Sequence, residues 1–283
     1  MNEIKTICVC GAGTMGRGIA QVAAMAGFAT IQFDVKADML DKSLTLITKN
    51  LDWLVGKEKI SASQHKAALE GIRFTSNVND CIADLFIEAI IEKKEAKTGL
   101  FNQLASINAA NSIFATNTSS ISITEIATGI QNPSRVVGMH FFNPAPVMKL
   151  VEVVKADQTD ESIVQSIVQV AKTMGKVPVV CKDAPGFIVN RVARHYYLEA
   201  MKLLEAGLAT VETIDTVMES SGFKMGPFKL MDLIGMDINY GVSNIVWEAL
   251  GKPERLKPSS IQKQKVESGE LGRKTGKGFY SYQ

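Results

Sequence analysis

Histidine, cysteine and long apolar runs are all scarce in this chain of 283 residues, and each shortage excludes something. The four cysteines, Cys8, Cys10, Cys81 and Cys181, are too few for a disulfide-rich scaffold and lack the paired spacing of a metal site. They lie in or beside apolar segments and are expected to pack as small hydrophobes. No apolar stretch approaches the roughly 18 to 20 residues that cross a bilayer. The opening MNEIKTICVC runs straight into a strand-like segment with no signal-peptide plan, so a cytoplasmic protein is expected. Neither sign of charge dominates: a net charge of +2 gives no electrostatic reason to propose nucleic acid or a membrane as partner. With three histidines only, His65, His140 and His195, the search for a proton-transferring side chain is short.

What is present is an alternation of strand-like and helix-like segments. Ile4 to Cys10, Ala29 to Phe33, Leu85 to Ala89, Ile113 to Thr116 and Val136 to His140 are short β-rich runs separated by amphipathic or alanine-rich stretches. This pattern implies an α/β domain with a mostly parallel sheet and helices on both faces. Between Asp38 and Glu70 the Leu/Ile periodicity predicts two helices projecting as a hairpin. Leu150 to Val154 is an apolar run, Thr159 to Met174 reads as a helix and Val177 to Val180 as a strand. Pro185-Gly186 then marks a break. Beyond it, Phe187 to Glu205, Val211 to Ser220, Met231 to Leu250 and Ser260 to Gly269 have helical character, which predicts an all-helical second domain. The closing KTGKGFYSY is expected to be ordered, because its aromatics need burial.

Strand-like TICVC leads into Gly11-Ala12-Gly13-Thr14-Met15-Gly16, which opens an alanine-rich helix. This is G-x-G-x-x-G in strand-turn-helix context, the dinucleotide-binding pattern. Gly11 permits the turn, Gly13 lets a pyrophosphate approach the backbone, and Gly16 lets the helix pack closely, while the helix N-terminus offers free N–H groups. Asp34 ends the next strand about 20 residues on, where a carboxylate accepts from the adenosine ribose hydroxyls and repels a 2′-phosphate. NAD is therefore preferred to NADP, with Lys36 the one nearby feature that favours NADP.

Two further segments, ATNTSS at 115–120 and MHFFNP at 139–144, are expected just beyond strands, where open α/β sheets present their ligands. Oxidising a secondary alcohol with NAD removes hydride from carbon and a proton from oxygen, and histidine is suited to take that proton near neutral pH. His65 falls in the polar arm and His195 in a helix, which leaves His140 as the candidate base. Glu152, in the apolar KLVEVV run, would orient the imidazole if the two pair; an exposed position on an alternating strand fits the sequence equally well.

With these residues assembled, the chain resembles the short-chain 3-hydroxyacyl-CoA dehydrogenase family, and in particular its bacterial 3-hydroxybutyryl-CoA dehydrogenases. The resemblance spans essentially the whole chain through GAGTMGRGIAQ, IEAIIEKKEAK, ATNTSSISI, GMHFFNPAPVMKLVEVV, APGFIVNR, MGPFKLMDLIGMD and LGRKTGKGFY. It implies NAD-dependent, reversible oxidation of an (S)-3-hydroxyacyl-CoA. It also implies a Rossmann-type domain over residues 1–184 with a helical-hairpin insertion at about 38–70, and a helical substrate and dimerisation domain over 185–283, the active site lying in the cleft between them. By position, His140 and Glu152 match the family's catalytic pair, with Ser119 and Asn190 against the substrate oxygen. Glu92, Lys97, Asn117 and Ser119 match residues near the cofactor, although Glu92 and Lys97 also fit a solvated helix face. The acyl-CoA phosphates make Lys49, Lys57 and Lys59 of the arm candidate contacts, and a homodimer is expected.

The arm segment LDWLVGKEKIS carries fewer lysines than the family commonly has. The helix after the asparagine, NRVARHYYLEA, is more polar and aromatic than the aliphatic helix the resemblance leads one to expect. Two other readings stand beside the main one: a dehydrogenase of free hydroxy acids or sugar acids on the same scaffold, and a non-catalytic dinucleotide-binding protein.

Overall fold

Strand β1, Thr6–Cys10, is buried from Ile7 onward, and the next three strands across the middle of the sheet are buried throughout. In β4 (Leu85–Glu88), β5 (Ile113–Thr116) and β6 (Val136–Phe141) every residue is buried. Continuous burial without alternation is what a sheet covered on both faces requires. The computed structural model describes residues 3–282, in two compact units, Met1–Asp183 and Ala184–Gln283.

The first unit holds one eight-stranded sheet, completed by β2 (Ala29–Phe33), β3 (Ile72–Thr75), β7 (Leu150–Lys155) and β8 (Val177–Lys182), in the order β3-β2-β1-β4-β5-β6-β7-β8. The first six strands pair in parallel; β7 runs antiparallel to β6, and β8 parallel to β7. The chain leaves β1 toward one edge and returns through β4 toward the other, so a crevice opens beyond the carboxyl ends of β1 and β4. Helices α1 (Thr14–Met25), α4 (Lys94–Ile107), α5 (Ile123–Thr128) and α6 (Glu161–Thr173) connect the strands. Ile19, Ala20 and Ala23 of α1 and Ile163, Ile167 and Val170 of α6 join the strand residues in one core cluster. The hairpin arm is α2 (Ala37–Gly56) and α3 (Ala62–Glu70), the latter opened by a Ser61–Gln64 capping box.

The four-residue β3 is an addition to the strands expected. It makes the strand bearing His140 the sixth in chain order, not the fifth. His140 also lies within that strand rather than beyond it, because pairing with β7 from Gly138 to Phe141 continues the ladder to its end.

The second unit is built on α7 (Val189–Glu205), α8 (Val211–Ser220), α9 (Pro227–Ile234), α10 (Met236–Ala249) and α11 (Ser260–Glu267). The single helix expected over Met231 to Leu250 is broken at Gly235, whose φ of 102° no L side chain adopts without strain. Phe228, Met231 and Val246 centre its core, against which Phe279 and Tyr280 of the closing segment pack.

Candidate active site

The glycine turn between β1 and α1 is shaped by close backbone approach. Gly11 has φ 107° and its N–H donates to Phe33 O at 2.7 Å. A Cβ on Gly16 would lie 2.0 Å from Gly11 O, whereas one on Gly13 would meet nothing within 4 Å. The turn therefore folds against itself at Gly16 and is open at Gly13. No side chain caps α1, so the N–H groups of Thr14, Met15 and Gly16 form an uncapped helix N-terminus suited to an anion. Asp34 stands beside it, accepting from Ala12 N at 2.8 Å through Oδ2 and from Lys36 N at 3.0 Å through Oδ1. Each oxygen keeps a lone pair for a ribose hydroxyl. An open glycine position, uncapped donors and an acid at the neighbouring strand end fit NAD.

His140 and Glu152 face each other across the β6–β7 ladder. Nδ1 of His140 lies 2.8 Å from Oε2 of Glu152, and the residues are only 5% and 1% exposed. The expected pairing of the two is thus present, and the alternative of an exposed Glu152 is not. A carboxylate so buried needs a proton donor, and the imidazole N–H is one. The ring of Phe142 lies 4.6 Å from that of His140, centroid to centroid.

Asn117 ties β5 to β6 next to this pair: its Oδ1 accepts from Phe141 N at 2.8 Å, and its own N–H donates to Glu88 O at 2.8 Å. Ser119 follows, half-buried, its N–H donating to Glu92 Oε1 at 3.1 Å. The same carboxylate oxygen accepts from Thr118 Oγ1 at 2.5 Å and Ser120 Oγ at 3.1 Å. Burial works to raise the Glu92 pKa, but Lys97 and the hydroxyl of Thr118 outweigh it and hold the group below its ordinary value.

Lys97 is 1% exposed, its Nζ 2.7 Å from Glu88 Oε1 and 3.0 Å from Glu92 Oε2. A solvated face for Lys97 is thereby replaced by a three-charge link from β4 through α4 to the loop carrying Ser119, buried at Glu88 and Lys97 and exposed at Glu92. Glu88 and Thr116 were not anticipated: Glu88 is fully buried and also accepts from Thr116 Oγ1 at 2.7 Å and Ile90 N at 2.7 Å. The signal was there in an acid within apolar LFIEA, since a buried carboxylate requires partners. Lys176, also unforeseen, donates to Ala145 O at 2.5 Å and Met148 O at 3.0 Å and so ties down the segment after β6.

Lys49, Lys57 and Lys59 are exposed on the arm, Lys59 with its Nζ 5.5 Å from the centroid of the Trp53 ring. Asn190 occupies the second position of α7 in the helical unit and is half-buried. His65 pairs with Asp52 at 2.9 Å on the arm, away from the strand ends. Among the described residues no His, Cys, Asp and Glu cluster could hold a metal, and no helix is long and apolar enough to cross a membrane.

Comparison with known proteins agrees with this geometry. Residues 6–184 match the family model for the NAD binding domain of 3-hydroxyacyl-CoA dehydrogenase, and 186–282 the model for its C-terminal domain. The chain is 44% identical over 284 residues to the 3-hydroxyadipyl-CoA dehydrogenase of Escherichia coli K12, with all of this chain aligned but only 60% of that relative's length. It is 42% identical to the mitochondrial hydroxyacyl-coenzyme A dehydrogenase of Sus scrofa, over 99% of this chain and 91% of the relative. The crystal structure of the (S)-3-hydroxybutyryl-CoA dehydrogenase of Ralstonia eutropha superposes with a TM-score of 0.95 at 36% identity, covering 99% of this chain and 100% of that one. The chain belongs to the 3-hydroxyacyl-CoA dehydrogenase family.

Proposed function

We propose that the protein oxidises the 3-hydroxyl of a short (S)-3-hydroxyacyl-CoA, of which 3-hydroxybutyryl-CoA is the simplest, and reduces the corresponding 3-ketoacyl-CoA in reverse. The buried His140–Glu152 pair is the observation that carries the reading, because a carboxylate against Nδ1 favours the tautomer in which Nε2 is the base. With Nδ1–H donated to Glu152, Nε2 keeps its lone pair and is the atom that takes the hydroxyl proton. The carboxylate then stabilises the imidazolium until its proton passes to solvent ahead of the next turnover; in the reverse direction the imidazolium gives a proton to the 3-oxygen. NAD, when bound, supplies the hydride acceptor.

The hydroxyl of Ser119 and the amide of Asn190 are assigned to the 3-oxygen, to which they donate hydrogen bonds that strengthen as it gains negative character. Glu92 holds the Ser119 backbone, so that hydroxyl is presented from a fixed loop. Gly11, Gly13, Thr14, Met15, Gly16 and Asp34 hold the dinucleotide, with Glu92, Lys97 and Asn117 organising its nicotinamide side. Lys49, Lys57 and Lys59 are assigned to the acyl-CoA phosphates.

As part of the same proposal the enzyme works in the cytoplasm as a homodimer through its helical unit. That unit leaves Val192, Leu208, Val217 and Ile238 more than half exposed. Light scattering should give twice the 30.7 kDa of one chain. The reaction itself is tested by following NADH consumption with acetoacetyl-CoA, longer 3-ketoacyl-CoA thioesters and free acetoacetate. Turnover of thioesters only is expected. Turnover of free acetoacetate would favour a dehydrogenase of free acids, and NADH binding without turnover a non-catalytic role.

A further inference from the structure

One turn beyond Asn190 on α7, Arg194 is 3% exposed and has no carboxylate partner among the described residues. Its hydrogen bonds go to neutral oxygens: Nε to Asn190 O at 3.1 Å, and Nη1 to Asn239 O at 2.8 Å and Ser243 Oγ at 3.0 Å. The guanidinium also lies 4.8 Å from the Tyr197 ring centroid. An arginine has five N–H donors, and those on Nη2 donate to nothing among the described residues. Burial depresses its pKa, to about 10, and the neighbouring Tyr197 offsets only part of that. A cation held this way is costly unless an anion completes it.

A second donor beside it also lacks an acceptor. Asn239 is 1% exposed, and its orientation is set: Oδ1 accepts from Gln262 Nε2 at 2.7 Å, and Gln262 Oε1 in turn accepts from Ser259 N at 3.1 Å. Asn239 Nδ2 is left sealed and without a partner. Among the described residues only Gln158 Oε1 shares that condition, so the Nη2 edge of Arg194 is unpartnered without being sealed from solvent. Donors thus exceed acceptors around a buried positive charge, and the deficit is a carboxylate.

We propose that Arg194, through its Nη2 edge, forms a carboxylate subsite, so that the preferred 3-hydroxyacyl-CoA carries a second carboxylate at the far end of its acyl chain. This rests on the reaction proposed above, in which Asn190 contacts the 3-oxygen. Residues four apart share a helix face, and one turn is about 5.4 Å, the span of a few carbons of an extended chain. The planar fork of arginine suits a carboxylate in bidentate fashion, which a methyl end cannot exploit.

The test compares kcat/KM for three thioesters: four-carbon 3-hydroxybutyryl-CoA, a six-carbon 3-hydroxyacyl-CoA ending in methyl, and the six-carbon analogue ending in carboxylate. The wild type should favour the carboxylate end over the methyl end by at least about tenfold. Arg194→Met should bring that ratio to about one or below, and Arg194→Lys, which keeps charge but not the fork, should leave an intermediate value. A wild-type ratio at or below one, with turnover of the methyl-ended thioesters, overturns the subsite alone and needs no variant to fold. A ratio unchanged in Arg194→Met also overturns it. Absence of turnover with all three removes the reaction reading itself and this proposal with it.

Discussion

His140 and Glu152 are cross-strand partners in the antiparallel β6–β7 pair, and their side chains meet at 2.8 Å. Register, not a flexible loop, sets that contact, so the ring has little freedom to leave it. His140→Asn removes the base and should cut kcat by at least about 100-fold with NADH affinity nearly intact. Glu152→Gln puts an amide against Nδ1, which can donate to the ring and so favours the tautomer with no lone pair on Nε2. It should lower kcat at least about tenfold while shifting NADH affinity much less. Steady-state rates with a fluorescence titration of NADH check both. Unchanged turnover in His140→Asn would remove the imidazole from the chemistry, and equal loss of rate and affinity in Glu152→Gln would point to damage to the fold.

Gly13 and Gly16 make opposite demands although they share a motif. Gly16→Ala forces a Cβ to 2.0 Å from Gly11 O, so the turn must rearrange; both melting temperature and NADH affinity should fall. Gly13→Ala meets no protein atom within 4 Å and sits at an ordinary φ of −68°, so its melting temperature should barely change. If the pyrophosphate approaches there, NADH affinity should still drop by about tenfold or more, by direct crowding. Thermal melts of the two variants with and without NADH separate the cases, and full affinity in Gly13→Ala would move the dinucleotide off this turn.

The parts of this site legible from sequence are those whose signal lies within one stretch of chain. The glycine turn announces itself between TICVC and an alanine-rich helix, and His140 stands out because histidines are so few. Glu152 was readable as a problem, an acid in an apolar strand, but the sequence could not say that its partner lay opposite in the next strand. β3 is four residues, IRFT, with only Ile72 and Thr75 buried, too short a run to separate from loop. The break at Gly235 hid inside DLIGMDI, where apolar periodicity continues across the glycine. Glu88 and Lys97 sit on different elements, so their pairing is a consequence of β4 meeting α4 and has no local trace.

That buried link makes its own prediction. Lys97 and Glu88 are 1% and 0% exposed, and each is the other's direct partner at 2.7 Å. Removing one charge strands the other, so Lys97→Met should destabilise the protein by about 3–5 kcal/mol in urea unfolding. Lys97→Met with Glu88→Gln should recover part of the loss, because the fully buried carboxylate is then gone and the one that still loses its cation, Glu92, reaches solvent. A double variant no more stable than Lys97→Met would mean that packing, not charge pairing, holds this region.

The closing segment of the chain is held by a buried acid and should fail in alkali. Asp232, 1% exposed, accepts from Phe279 N, Tyr280 N and Tyr282 Oη, each at 2.9 Å. Burial first, and then Asp232 itself, push the Tyr282 hydroxyl from 10.0 up to about 12. Tyr280, which donates to Asp215 at 2.8 Å, is raised for the same two reasons. A tyrosine whose folded pKa lies above its unfolded value stabilises the fold while protonated. That contribution is complete below about pH 10 and is lost as pH rises through about 12, when a phenolate would face a buried carboxylate. Urea midpoints should therefore fall between pH 10 and pH 12 in the wild type and fall less steeply in Tyr280→Phe/Tyr282→Phe. Asp232→Asn should cost about 1–3 kcal/mol already at neutral pH, since an amide offers one acceptor where the carboxylate offers two. Identical alkaline slopes in the wild type and the double phenylalanine variant would show that these hydroxyls contribute nothing to holding the segment.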